Sequence, residues 1–251
     1  MSKALPAGGK VSVMATTRRF FVENIGQTAV LTGDEFSHAK NVLRLREGDE
    51  VVLLDGSGRE YDAVINEAGK REMLCTVLSS RPCDKEPETR VKLLLGALKG
   101  DKTEFAVQKA TELGVSEIGV FSSRYCSAYM NENKLERLAK VAREAAKQCL
   151  RASVPEVEYY SSLEGALASC AGYENKLFAC EFAEKSETDL RGLKGSCALV
   201  VGSEGGFAPE EFERARAAGF AGISLGRRIL RAETAAVAFT AVTMFLLGEL
   251  G

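Results

Sequence analysis

The apolar residues of this chain follow two different rhythms, and the change falls at one place, Ser79–Thr89, SSRPCDKEPET, which holds two prolines and a dense run of charge. Before it the text breaks into short strand-like runs: Phe20–Val22, Thr28–Leu31, Val51–Leu54, Tyr61–Ile65 and Leu74–Leu78. Gly33-Asp34, Gly48-Asp49 and Asp55-Gly56-Ser57-Gly58 punctuate them as turns. One short helix fits Asp34–Leu43, with Asp34 as its N-cap. Small β-rich barrels have this rhythm. After the break, strands alternate with helices, which implies an α/β domain on a mostly parallel sheet. The 251 residues therefore divide into a small β-rich domain at 18–80, a linker at 81–89 and an α/β domain at 90–251.

In the second part Val91–Leu95 reads as a strand and Lys102–Leu113 as a helix closed by Gly114. Ile118–Phe121 is a strand and Glu132–Leu150 a long helix. Leu177–Cys180 and Ala198–Val201 are apolar enough to be buried strands. Pro209–Ala218 has Pro at its first turn, acids beside it and Gly219 after it. Ile223–Leu225 is a further strand, and a final helix runs from about Thr234.

Charge excludes a bulk polycation. Lys plus Arg number 33 and Asp plus Glu 35, for a net charge of −2, so any nucleic-acid contact has to come from local patches. Seven scattered cysteines with no C-x-x-C, and His38 as the only histidine, exclude zinc-ribbon sites and histidine-based triads. No metal is expected. His38 has the place of a capping or surface residue. Residues 1–17 lack the apolar core of a secretory signal and read as a disordered leader, with Met14 as an alternative start. Reduced thiols in the cytoplasm are the expectation. Ala235–Leu247, the longest uncharged apolar stretch, has 13 residues. A bilayer span needs roughly 17–25, so a buried helix is expected there and no membrane partner.

Three segments have the character of a site. Gly96-Ala-Leu-Lys-Gly100-Asp-Lys102-Thr103 follows a strand and opens a helix, as a phosphate loop does. Its glycines stand one residue too close for that motif, and Asp101 would face the phosphates. A glycine turn with solvated lysines, or a backbone contact of Lys99 and Lys102 with nucleic acid, are the other readings. Ala198–Val201 runs into Gly202-Ser203-Glu204-Gly205-Gly206-Phe207, a buried strand ending in a glycine turn before a helix. Ligands of open α/β sheets bind at the carboxyl ends of strands, and glycine lets backbone amides approach them. Glu204 disfavours a phosphate there and suits a ribose hydroxyl or a cationic ligand. Leu225-Gly226-Arg227-Arg228-Ile229-Leu230-Arg231-Ala232-Glu233-Thr234-Ala235 leads from a strand through three arginines to a helix start. The free amides of that start and the arginines together make a cationic site.

Taken together, Arg18-Arg19-Phe20-Phe21, His38–Asp49, Lys99–Lys102, Gln108–Gly114, Glu144–Gln148 with Arg151, Gly202–Phe207 and Leu225–Ala235 resemble the RsmE family of bacterial 16S ribosomal RNA (uracil(1498)-N(3))-methyltransferases, of the SPOUT class. The resemblance spans about Arg18 to Leu247, and the last two segments are its most specific carriers. Two departures stand out. Ser203 occupies a position where the family usually has proline. Lys147 and Cys149 flank Gln148, where the family usually has an acidic and a small residue.

The resemblance implies a PUA-like RNA-binding barrel followed by a SPOUT domain with a trefoil knot, acting as a homodimer. It implies S-adenosylmethionine as cofactor, held by Gly202, Glu204, Gly205, Gly206, Leu225, Gly226, Leu230, Thr234 and Ala235. It implies methyl transfer to N3 of a uridine of 16S rRNA in the small ribosomal subunit, uridine 1498 in the family. Arg231 is the expected catalytic group. A guanidinium stays protonated, so the base that takes the N3 proton is left open between Glu233, a group of the partner subunit, and water. Arg18, Arg19, Arg44, Arg46, Lys99 and Arg151 are the expected RNA contacts. The alternatives are a P-loop-like nucleotide-binding protein using Gly96–Thr103, and a non-catalytic RNA-binding assembly factor.

Overall fold

A computed structural model of the chain describes residues 18–180 and 188–251. The expected leader, 1–17, lies outside the described residues. Two compact units emerge. One comprises the described residues up to Lys85 together with Leu150–Ser153; the other comprises Glu86–Cys149 and Val154–Gly251.

The first unit is a five-stranded sheet: β1 (Arg19–Phe21), β2 (Thr28–Leu31), β3 (Glu50–Leu54), β4 (Arg59–Ala68) and β5 (Met73–Pro82), in the order β1-β3-β4-β5-β2. Only β1 and β3 run parallel; the other neighbours are antiparallel. Alternation explains which face is buried: in β2, Ala29 and Leu31 are covered while Thr28 and Val30 are exposed. Irregularities at Asp62/Ala63 and Ile65/Glu67 bend β4 against β5, wrapping the sheet around Phe20, Leu31, Leu53, Ile65 and Met73. β5 carries on to Pro82, past the start of the charged segment, because Arg81 at its end pairs with Glu60 (2.6 Å) and with Asp62 of β4.

The expected helix at Asp34–Leu43 is two pieces. An α-turn, α1 (Gly33–Ser37), runs into a π-turn over His38–Val42. The N-cap position falls on Thr32, and no side chain caps it, so Asp34 is a first-turn acid instead. Arg44 closes the element at φ 55°, and Leu45 N–H returns to the Ala39 carbonyl. His38 lies edge-on to Phe20 with ring centroids 6.0 Å apart.

The second unit holds six parallel strands: β6 (Val91–Gly96), β7 (Glu117–Phe121), β8 (Glu156–Tyr160), β9 (Asn175–Ala179), β10 (Cys197–Val201) and β11 (Ala221–Ile223). Their order is β11-β9-β10-β6-β7-β8. Five helices cover them: α2 (Lys102–Glu112), α3 (Glu132–Gln148), α4 (Leu163–Ala168), α5 (Pro209–Ala217) and α6 (Ala232–Leu246). Both faces are packed. Leu93 and Leu95 belong to a core with α2, α3 and α6, while Leu94 faces the opposite core with Phe121, Phe178 and Phe207. That accounts for the unbroken burial of β6 and β10.

Four differences from the sequence-based expectation follow from particular residues. β8, EVEYY, is an edge strand whose alternating acids mask its pattern, and α4 is only six residues long. α3 stops at Gln148 rather than Leu150, because Leu150 takes φ 67°. The Leu150 carbonyl accepts from Arg19 Nη2 (3.1 Å) and Cys83 Sγ (3.4 Å) of the first unit. β11 lies two residues earlier than expected, which leaves Leu225 in a loop. α6 starts at Ala232, with Arg231 at the N-cap position.

Candidate functional site

The chain walks from β6 out to β8, then returns to place β9, β10 and β11 on the other side of β6. This reversal creates a switch point, where open α/β sheets bind ligands. At the carboxyl ends of β9, β10 and β11 lies a cleft of ≈ 520 Å³, within the usual range of small-molecule sites.

Its first wall is the turn after β10. Gly206 N–H donates to the Ser203 carbonyl (3.0 Å), and Gly206 takes φ 66°. Glycine is required twice for close approach. A Cβ at Gly96, the end of β6, would stand 2.5 Å from Ser203 N, and one at Gly205 would stand 2.6 Å from Tyr125 Cβ. The second wall is the loop Ser224–Arg231 and the start of α6, with Gly226 at φ 101° and nothing within 4 Å of where its Cβ would be.

Of the residues expected to hold a cofactor, Gly202, Glu204, Gly206, Leu225, Gly226, Leu230 and Ala235 line the cleft, and so does Arg231. Gly205 and Thr234 are not among its lining residues: Gly205 lies close to Tyr125, and Thr234 is exposed. Ala179, Ser203, Phe207, Ser224 and Lys102 also line it, though none was among the residues expected to hold the cofactor. The strand ends at Ala179 and Ile223 could have pointed to the first and fourth of these, since parallel strands end on one edge.

Glu204 has a defined place. Its Oε1 accepts from Lys99 N–H (3.1 Å) and Lys102 Nζ (3.2 Å). Burial pushes this carboxyl up. The hydrogen bonds from its own amide and the Lys99 amide, with the Lys102 ammonium, outweigh that and hold it below the usual carboxylate value. The donors of the phosphate-loop-like turn thus already grip a carboxylate of the protein itself. Lys102 also stands 4.0 Å from Glu233 Oε1, so its ammonium lies between an acid from each wall.

Two polar atoms here are buried with no partner among the described residues: Ser203 Oγ and Glu233 Oε2. Buried polar atoms are seldom left so, and sites that bind polar ligands are where the exceptions gather. The guanidinium groups of Arg227, Arg228 and Arg231 are exposed and make no ion pair or hydrogen bond among the described residues. A glycine-lined, partly apolar cleft with two buried polar atoms left without a partner among the described residues and a cationic rim fits a nucleoside carrying a charged amino-acid tail. Among the described residues no group of His, Cys, Asp and Glu could hold a metal, and no helix is long and apolar enough to cross a membrane.

The expected RNA contacts divide. Arg44 and Arg46 are exposed and border a shallow hollow with Lys40 on the first unit. Arg18 is half-buried and paired with Asp49 at 3.2 Å. The Lys99 side chain is exposed. Arg19 and Arg151 are buried, unlike the exposed cations expected: Arg19 is 7% exposed, with Nη1 on Glu60 at 2.7 Å, and Arg151 is 4% exposed, with Nη2 on Ser153 Oγ at 3.2 Å.

Residues 85–244 match the family model described as an RNA methyltransferase domain, and residues 31–78 match an RNA methyltransferase PUA domain. The chain is 32% identical over 236 residues to ribosomal RNA small subunit methyltransferase E of Bacillus subtilis, covering 87% of this chain and 92% of that protein. It is 34% identical over 231 residues to the protein of that name in Mycobacterium bovis, covering 86% and 87%. A crystal structure of the Neisseria gonorrhoeae protein of that name, bound to S-adenosylmethionine, superposes with a TM-score of 0.85 at 30% identity, over 92% of this chain and 98% of that one. A Legionella pneumophila methyltransferase with the same cofactor bound gives 0.82 at 27% identity, over 91% and 97%.

Proposed function

The chain belongs to the ribosomal RNA small subunit methyltransferase E family, and from that premise we propose that it methylates N3 of a uridine in 16S rRNA, uridine 1498 by resemblance. It is an S-adenosylmethionine-dependent rRNA methyltransferase. The proposal extends to its context: a homodimer with a knotted SPOUT domain, acting in the cytoplasm on the small ribosomal subunit. The observation that carries it is the pairing of a glycine-walled cleft with an unpaired Arg231 at its rim.

When bound, the cofactor supplies an electrophilic methyl on a sulfonium. The residues present fit it: Gly202, Gly206, Leu225, Gly226 and Ala235 offer backbone and apolar contact, while Ser203 Oγ and Glu233 Oε2 have no partner among the described residues. No side chain has to form a covalent bond to the base, which agrees with the absence of a paired nucleophile and base. The protein's task is alignment, which can supply roughly 7–11 kcal/mol of barrier reduction.

Uracil N3 carries a proton that must leave before attack, and negative charge then spreads onto O2 and O4. Arg231, at the N-cap position of α6, can hold that charge with its guanidinium. It has no partner among the described residues, which leaves it available. Glu233, at the second residue of α6, stands beside it as one of the three candidate bases. On the first unit, Arg18, Arg44 and Arg46 are the proposed phosphate contacts, and on the second unit Lys99.

The test is nucleoside mass spectrometry of small subunits, lacking the modification, after incubation with protein and S-adenosylmethionine. The expected product is 3-methyluridine at one position. Methylation of a different atom or base contradicts the N3 assignment, and methylation of naked 16S rRNA but not of the subunit contradicts the assigned substrate. The phosphate-loop alternative is disfavoured by Glu204, which already takes Lys99 N–H and Lys102 Nζ.

A further inference from the structure

The loop Ser122–Met130, after β7, was absorbed neither by the cofactor cleft nor by the first unit, yet it begins at the same carboxyl edge of the sheet. It is firmly held. Met130 is buried in the core and Cys126 Sγ reaches the Ala97 carbonyl at 3.1 Å. Arg124 N–H donates to Glu211 Oε1 of α5 at 2.9 Å. Its residue Tyr125 backs onto the glycine turn: a Cβ on Gly205 would stand 2.6 Å from Tyr125 Cβ and 2.7 Å from its carbonyl oxygen.

On this fixed base the aromatic groups point outward. Tyr125 is 47% exposed and Tyr129 73%. Tyr159, at the end of neighbouring β8, is 36% exposed and shares a hydrogen bond with Ser122 Oγ at 2.8 Å. The Arg124 guanidinium lies 5.8 Å from the Tyr125 ring centroid. It pairs with Glu210 at 3.5 Å, and both side chains are more than half exposed. Such a pair is weak and gives way easily to a phosphate.

We propose that Tyr125 and Arg124 form an RNA platform, on which Tyr125 stacks a nucleotide flanking the target uridine while Arg124 holds an adjacent phosphate. The inference rests on the reading of the chain as an RNA methyltransferase. A base presented to the cleft has to leave its stack, and its neighbours then expose faces that need new partners. Aromatic side chains take such faces without regard to sequence, at roughly 1–3 kcal/mol per base. Tyr125 is fixed to the cofactor turn itself, so a nucleotide on it would sit beside the reacting base.

Tyr125→Ala is a clean probe, because alanine keeps the Cβ that meets Gly205. Its KM for small subunits should rise about fivefold or more, with the S-adenosylmethionine Kd by calorimetry unchanged and Tyr125→Phe within twofold of wild type. Ultraviolet cross-linking of the wild-type enzyme to small subunits should attach RNA to the peptide carrying Tyr125. An unchanged KM in Tyr125→Ala overturns the platform, as does a change of oligomeric mass, which would mark the tyrosines as a contact between copies of the chain. Wild-type enzyme that binds S-adenosylmethionine but methylates no RNA overturns the reading beneath it, and the platform with it.

Discussion

Lys92 and Arg231 are both cations of the parallel-sheet unit, and they stand at its opposite ends in opposite circumstances. Lys92, near the amino end, is 2% exposed. Its Nζ meets Glu117 at 3.1 Å, Glu158 at 3.3 Å and Tyr160 at 3.0 Å. Tyr173 and Arg90 complete the network on Glu117, at 2.8 Å and 2.6 Å. Burial alone would lower the lysine's pKa, and the hydrogen bonds to Tyr160 and Glu117 outweigh it and raise it. At the carboxyl end Arg231 has no partner among the described residues, and two nearby acceptors, Ser203 Oγ and Glu233 Oε2, have none either. One charge is held fast by its neighbours; the other is left for a ligand. The difference separates the part of the sheet that keeps the fold from the part that does chemistry.

The largest effect should come from breaking the closed network. Lys92→Met leaves half-buried Glu117 with fewer partners, and losing one member of a buried pair costs about 3–5 kcal/mol. Denaturant unfolding should show that loss, with kcat of the folded fraction unchanged; a variant as stable as wild type would remove the contrast. Arg231→Ala should do the reverse. Removing one group that stabilises developing charge costs roughly 10²–10³ in turnover, while unfolding and the S-adenosylmethionine Kd stay close to wild type. Turnover within a few-fold of wild type would make Arg231 a surface residue.

Smaller effects sharpen the border between the two regions. The Glu204 carboxyl is held below its ordinary value of 4.5 by its hydrogen bonds. A depressed folded-state pKa adds stability that is present above the unfolded value and is lost as pH falls through the folded value. Glu204→Gln should therefore flatten the acid limb of the melting-temperature profile below about pH 4.5. It should lower the melting temperature above pH 6, where that stability is fully present, and converge with wild type at acid pH; an identical profile would show that the Lys99–Glu204–Lys102 contact adds nothing. Ser203→Ala should have the least effect. It removes a buried hydroxyl without a partner, so the ligand-free protein should become more stable, by up to about 1 kcal/mol. A loss of stability would mean that the hydroxyl is hydrogen-bonded after all.

The same contrast explains what the sequence reveals. The cleft's walls are legible because the apolar run Ala198–Val201 ends at Gly202, and because the arginine loop runs into a helix start. A strand ending in glycine and a helix opening are local patterns. Contacts between distant residues are not. Nothing near Glu204 in the chain announces that Lys99 and Lys102, about a hundred positions earlier, will hold its carboxylate. Arginines are mostly exposed, so Arg19 and Arg151 read as surface cations, and only the fold brings Glu60 and the Leu150 carbonyl to Arg19. β8 is hidden for a related reason: Glu156 and Glu158 give it the text of a solvated loop, yet Glu158 serves Lys92 two strands away. Arg44 at φ 55° ends its helix where glycine would be the usual signal.

The central claim is that backbone amides of the two glycine-bearing turns at the carboxyl end of the sheet receive the cofactor. Hydrogen–deuterium exchange of the full chain, with and without saturating S-adenosylmethionine, tests it at those amides. Protection should gather at Gly202–Phe207 and Ser224–Ala236, with β6–β8 near Lys92 and the hollow beside Arg44 and Arg46 unchanged. Protection centred on that hollow, or none at the two turns despite measured binding, would contradict the account.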